Sequence, residues 1–259
     1  MTQSEKRIFL INRLIAEQDE YSHISIPTNE VEQKKLLRSL MNVRIPKPVS
    51  DEFLKIQDEY LHAEIAEKGI TDISDLEPIK DGIYLWQGDI TTLKCGAIVN
   101  AANSRMLGCF VPCHKCIDNA IHTYAGIQLR EECEQLMQTQ GYDEPTGKAK
   151  ITKAYNLPCD YIIHTVGPIV SGKLTKTDCE LLTSCYKTCL ETAERNNIKS
   201  IAFCCISTGE FHFPNDKAAE IAVNTVNEYL KNSDIEKVIF NVFKNIDYEI
   251  YREFLGTNK

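Results

Sequence analysis

The stretch that decides the reading is Asn100-Ala-Ala-Asn-Ser-Arg-Met-Leu-Gly-Cys-Phe-Val-Pro-Cys-His-Lys-Cys-Ile-Asp-Asn-Ala-Ile-His-Thr-Tyr-Ala-Gly126. It begins as the exit from the apolar run Ala97-Ile98-Val99 and crosses a loop with three cysteines and one histidine within eight residues. It then enters a helical pattern whose first turn carries Asp118. A strand, a ligand-rich loop and a helix in that order are where chemistry sits in α/β proteins.

Outward from that stretch, the same alternation continues in both directions. Strand-like runs are expected at Ile83 to Trp86, Ala97 to Val99, Ala149 to Tyr155, Tyr161 to Val166, Ser200 to Cys205 and Val238 to Phe243. Helical spacing fills about 117–138, 178–196 and 215–231 between them. The alternation predicts a sheet with helices on both faces, mostly parallel near its centre. Before Ile83 the period is helical throughout, over 3–18, about 29–41 and 52–67, with Pro46 and Pro48 as the break and Ser50 or Asp51 as a cap. Two units are expected: an N-terminal helical extension, residues 1–75, packed on an α/β core, residues 76–259. Three amphipathic helices must bury their apolar stripes somewhere.

Composition narrows the function. The net charge of −8 argues against a coat for nucleic acid or a binder of anionic membrane, both of which draw on clustered positive charge. All eleven cysteines lie at or after Cys95, and no apolar stretch near the start suits a signal peptide or a membrane span. A reduced, cytoplasmic protein is the expectation. Cys133, Cys159, Cys179, Cys185, Cys189, Cys204 and Cys205 fall in apolar or amphipathic runs and read as small buried hydrophobes.

Cys109, His114 and Cys116 differ from these: two thiolates and an imidazole suit zinc and leave one tetrahedral position open. Cys113 is the candidate fourth ligand, but in a loop of eight residues and next to His114 its sulfur is not expected to turn to the same ion, so Cys113 is expected to be dispensable. Asp118 reads equally as an acid matched to the helix dipole and as a group that orients or deprotonates a water or hydroxyl. Ser207-Thr208-Gly209-Glu210-Phe211 leaves a buried strand and precedes a helix. Its backbone N–H groups could hold a phosphate with no basic side chain, or it is a plain connecting turn. Gly88-Asp89-Ile90-Thr91 and Asn100-Ala101-Ala102-Asn103 follow strands as turn formers, at the sheet edge where ligands bind. His164 reads as a core histidine and His122 as a structural one.

In order and spacing, Gly88 to Thr91, Ile98 to Asn103, Ile117 to His122 and Ile206 to Gly209 resemble the macrodomain family over about residues 82–255. The run Leu107 to Cys116, where many hydrolytic members carry glycines, is similar to the zinc-dependent branch found beside sirtuin-like ADP-ribosyltransferases, as is Leu37 to Arg44. The resemblance implies a three-layer α/β/α fold with a central mixed sheet and a pocket for ADP-ribose. It places Asp89 on the adenine amino group, Ile90 and Phe243 along the ring, Asn103 at the distal ribose, and Ser207 to Phe211 around the diphosphate. Cys109, His114 and Cys116 would hold Zn²⁺, with Asp118 beside the distal ribose. The implied activity is zinc-dependent removal of mono-ADP-ribose from modified protein side chains, ester-linked Asp or Glu in particular, with a sirtuin-like transferase system as partner. The alternatives are a non-catalytic ADP-ribose reader with a structural zinc, and a zinc-stabilised module whose helical extension binds a partner.

Overall fold

The computed structural model describes residues 1–256. The chain opens with α1 (Gln3–Ile15), α2 (Glu30–Val43) and α3 (Asp51–Lys68). Each begins on a side-chain cap: Thr2 in a capping box with Glu5, Asn29 accepting from Val31 N and Glu32 N, and Ser50 accepting from Phe53 N. After β1 (Thr71–Asp72) come β2 (Ile83–Gln87), β3 (Leu93–Lys94), β4 (Ala97–Ala102), α4 (Ile117–Ala125), α5 (Ile127–Gln140), β5 (Ala149–Lys153) and β6 (Tyr161–Val166). Then follow α6 (Lys176–Arg195), β7 (Ser200–Phe203), α7 (Asn215–Leu230), β8 (Lys237–Val242) and α8 (Asn245–Phe254).

Six strands form one sheet in the order β2-β8-β7-β4-β6-β5. All neighbours are parallel except β5 against β6, so the sheet is mixed, with its antiparallel strand at one edge. β4 and β7, near the middle, are buried on both faces and read as almost unbroken apolar runs, as parallel strands under helices do. On one face α6, α7 and α8 pack side by side; on the other α4 lies against β4 and α5 against β5. α1, α2 and α3 stack outside this second helical layer and gather Leu10, Ile11, Leu37, Leu40, Phe53 and Tyr60 into a cluster that takes in Ile127 of α5.

Four differences from the sequence reading have physical causes. The helix expected over 117–138 is two helices, because Gly126 takes φ +96°, a conformation a side chain would strain. Buried Gln57 of α3 supports the break, accepting from Ile127 N at 3.0 Å and donating to Gln128 Oε1 at 2.7 Å. The strands expected to reach Tyr155 and Cys205 stop at Lys153 and Phe203, where the chain turns off the sheet. Between the helical pattern that ends at 67 and the strand run that begins at Ile83, where no strand is expected, lies β1, which pairs in parallel with β3. Last, α8 follows β8, burying Asp247 and Tyr251, one turn apart on one stripe.

Candidate active site at the carboxyl edge of the sheet

Because β2, β4, β6, β7 and β8 run parallel, the loops that leave them open on one edge, and the candidate residues gather there. The β4 exit is the longest of those that carry candidates. Within it the ligand atoms of Cys109, His114 and Cys116 all lie within 4.8 Å of one another, each residue partly exposed. Bonds of about 2.0–2.3 Å from one zinc put ligand atoms of a tetrahedron a little under 4 Å apart, so the cluster fits one ion after a small contraction. Burial, with Cys109 and Asp118 close by, pushes the Cys116 thiol up to about 12. A metal that takes the Cys116 sulfur as thiolate displaces that proton as it binds. Cys116 also begins α4, its sulfur accepting from Asn119 N at 3.4 Å.

Cys113 points elsewhere. Its Sγ lies 3.3 Å from Ser39 Oγ and donates to Lys35 O at 3.4 Å, and its backbone N donates to Asn42 Oδ1 at 2.9 Å, all on α2. It stands outside the three-residue cluster.

Asp118 is almost fully buried on the first turn of α4. Asn100 Nδ2 donates to its Oδ1 at 2.8 Å and Asn103 Nδ2 to its Oδ2 at 3.3 Å. Burial pushes the carboxyl up to about 6, against the pull of those two amides and the charge of Arg130. Asn100 sits opposite His164 in the β4–β6 register, and its amide nitrogen also meets His164 Nδ1 at 3.1 Å. The amide can only donate, so Nδ1 accepts, and the proton sits on Nε2, which lies 2.9 Å from Thr152 Oγ1. Burial holds His164 neutral, with its pKa down at about 3. His122, one turn along α4, is also buried and held well below the usual range by burial, with Nε2 3.6 Å from Asp118 Oδ1.

The loop after β7 is shaped by backbone. Ser207 and His212 take φ +66° and +55°, His212 N donates to Gly209 O, and Phe213 N donates to Ser207 O. The N–H groups of Gly209, Glu210 and Phe211 donate to no acceptor among the described residues, leaving three successive amides for an anion. A Cβ on Gly167 would sit 2.0 Å from Ser207 Oγ and 2.9 Å from Ile206 Cγ2, so a side chain at the β6 exit would have to displace both. The two loops meet: His114 Nε2 is 3.7 Å from Glu210 Oε1.

At the far end of the edge, Asp89 Oδ1 accepts from Thr91 N at 3.0 Å and Thr91 Oγ1 at 2.6 Å, while Oδ2 pairs with Lys68 Nζ of α3 at 2.8 Å. Burial works against the Asp89 charge, but Lys68 and Thr91 outweigh it and hold the carboxyl below the usual range. Ile90 is buried, and Phe243, 76% exposed, is tied to the end of β2 by Gln87 Nε2 donating to Phe243 O at 3.3 Å.

The sequence-level candidates thus fall into two groups. Asn103, Cys109, His114, Cys116, Asp118 and Glu210 come together, and Asp89, Ile90 and Phe243 form a separate end. Asn100, read as a turn former, lies inside β4 and holds Asp118; a polar residue in an apolar strand beside another strand's histidine was its available signal. Asn119 and Arg38 lie within stretches that carry the resemblance, but neither was given a role of its own.

Comparison with known proteins agrees with this geometry. A family model described as Macro domain matches residues 99–222. A protein-ADP-ribose hydrolase of Treponema medium is 57% identical over 261 residues, spanning 99% of this chain and 100% of that protein. One of Staphylococcus aureus (strain MSSA476) is 50% identical over 248 residues, spanning 95% and 93%. A solved mutant of the Oceanobacillus iheyensis macrodomain with ADPR superposes with a TM-score of 0.64 at 37% identity, over 70% of this chain and 96% of that one. Likeness of this extent in sequence and in fold has one reading: the chain belongs to the macrodomain family, in its α/β form with a mixed sheet and an N-terminal helical segment.

Proposed function

We propose that the protein is a hydrolase that removes mono-ADP-ribose from modified protein side chains, with ester-linked Asp or Glu as the foremost substrates and zinc on Cys109, His114 and Cys116. One observation carries the reading: the soft-ligand cluster and the free amides of the 209–211 loop adjoin at His114 and Glu210, on the same edge as Asn103 and Asp118. The names of the Treponema and Staphylococcus relatives support the same activity.

In this reading the amides of Gly209, Glu210 and Phe211 hold the diphosphate, with Ser207 and Thr208 shaping the turn. Asp89, Ile90 and Phe243 receive the adenine. Asn103 orients the distal ribose toward the cluster. Zinc, when bound, supplies a Lewis acid with an open position at that end of the pocket. Asp118, held by two amides and shifted toward neutrality, takes up or returns a proton at a water or ribose hydroxyl. The eleven free thiols fit a reducing cytoplasm, and no helix among the described residues is long and apolar enough to cross a membrane. A sirtuin-like ADP-ribosyltransferase is the kind of enzyme that would write the modification erased here.

The test is release of ADP-ribose from a protein modified on Asp or Glu, by wild type and by Asp118→Asn, with calorimetric binding of free ADP-ribose alongside. Asp118→Asn should lower turnover about 10²- to 10⁴-fold while binding stays within a few-fold. Binding with no turnover by the zinc-loaded wild type would leave a reader. No heat with ADP-ribose would leave a zinc-stabilised interaction module.

A further inference from the structure

The loop from Cys109 to Cys116 has no regular structure, yet each of its three ligand-bearing residues is held from outside. Asn119, wholly buried on the first turn of α4, is the hub. Its Nδ2 donates to Cys109 O at 3.4 Å and to Val111 O at 3.0 Å, and its backbone N donates to Cys116 Sγ at 3.4 Å. Its Oδ1 accepts twice from Arg38, from Nε at 3.2 Å and Nη2 at 2.7 Å. The same Nη2 donates to His114 O at 2.9 Å. Arg38 belongs to α2, in a part of the chain that offers the cluster no ligand.

Arg38 is not alone on that face. Lys35, Arg38, Ser39 and Asn42 recur at i, i+3, i+4 and i+7, which places them on one stripe of α2. Lys35 O, Ser39 Oγ and Asn42 Oδ1 all engage Cys113, whose φ of +52° bends the loop onto the helix. A guanidinium fork with this pattern fixes a carboxamide in one orientation, and a fixed Asn119 in turn fixes the carbonyls of two loop residues.

We propose that Arg38 and Asn119 form a clamp that shapes the Cys109–Cys116 loop for its metal, so that the N-terminal helical segment sets the affinity of a site to which it contributes no ligand. The clamp rests on the metal reading above and adds to it a role for α2. Both are positioning residues: they act through the ligands. Outer groups of this kind are commonly worth 10- to 100-fold in metal affinity.

The experiment is zinc affinity of the full chain by competition with a chromophoric chelator, for wild type, Arg38→Ala, Arg38→Lys and, as a control on the exposed outer face of α1, Arg13→Ala. Far-UV circular dichroism and melting of the metal-free proteins run in parallel. Arg38→Ala should bind zinc about 10- to 100-fold more weakly, with the metal-free fold kept. Arg38→Lys should fall between, because an ammonium lacks the second arm of the planar fork, Nε, that grips Asn119 Oδ1 beside Nη2, and Arg13→Ala should match wild type. Folded Arg38→Ala with wild-type zinc affinity would overturn the clamp. If Arg38→Ala does not fold, Arg38→Lys decides, with wild-type affinity again contrary. A wild-type chain that takes up no zinc would overturn the metal reading and the clamp together, whereas loss of the clamp alone leaves wild-type binding intact.

Discussion

The loop from Cys109 to Cys116 and the loop from Ser207 to Phe213 face each other across His114 and Glu210, and they are built by opposite means. The first is defined by side chains: two thiols, an imidazole and a carboxamide hub braced from α2. The second is defined by backbone: two residues at positive φ, internal amide-to-carbonyl bonds, and a glycine in the neighbouring loop that makes room. A metal needs particular donor atoms, whereas a diphosphate needs only amides pointing the same way. The two should therefore fail separately, each to a change that leaves the other intact.

The largest effect is expected on the metal side. Cys116→Ser should abolish stoichiometric zinc and reduce turnover to background, with calorimetric ADP-ribose affinity within a few-fold of wild type. A lost affinity of the same order as the lost turnover would show that the loops are one unit. The complementary break is Gly167→Ala. Its methyl must displace Ser207, and overpacking of about 1–3 kcal/mol directed at that loop should weaken ADP-ribose binding about tenfold or more, with zinc affinity unchanged.

His164 titrates near 6.5 in the unfolded chain and at about 3 when folded, because burial disfavours its charge. Between those values the unfolded state binds the extra proton. The contribution is whole above about pH 6.5 and is lost as pH falls, at about 1.4 kcal/mol per pH unit for one proton. His164→Gln keeps an acceptor for Asn100 and a donor for Thr152, so denaturant-unfolding free energy measured from pH 7 to 4 should fall less steeply by about that slope. An identical slope would mean that His164 is protonated in the folded protein. The smallest effect is expected from Cys113→Ala: one zinc per chain, as in wild type, by metal analysis.

The same contrast explains what could be read in the chain itself. The clustering of Cys109, His114 and Cys116 was legible because soft donor types at close spacing in one short loop already announce it. The 207–211 loop was legible only as a glycine-containing turn between a strand and a helix, since its φ values and free amides leave no composition behind. The strands and the larger helices followed from period, yet about 117–138 kept helical spacing straight through Gly126, whose break is supported by Gln57 of α3. Arg38 lay beyond reach for a related reason: a cation on the polar side of an amphipathic helix reads as solvated until tertiary structure brings Asn119 to it. Asn100 was mistaken because an Asn after an apolar run so often begins a turn, and only the β4–β6 register shows it flanked by His164.

The most direct test is a zinc titration of metal-stripped protein in which release of ADP-ribose from an Asp- or Glu-modified protein and calorimetric affinity for free ADP-ribose are followed together. Turnover should climb linearly to a break at one zinc per chain while the affinity stays level within a few-fold. Full turnover before any zinc is added, or an affinity that appears only with zinc, would contradict the division of the site into a metal end and a diphosphate end.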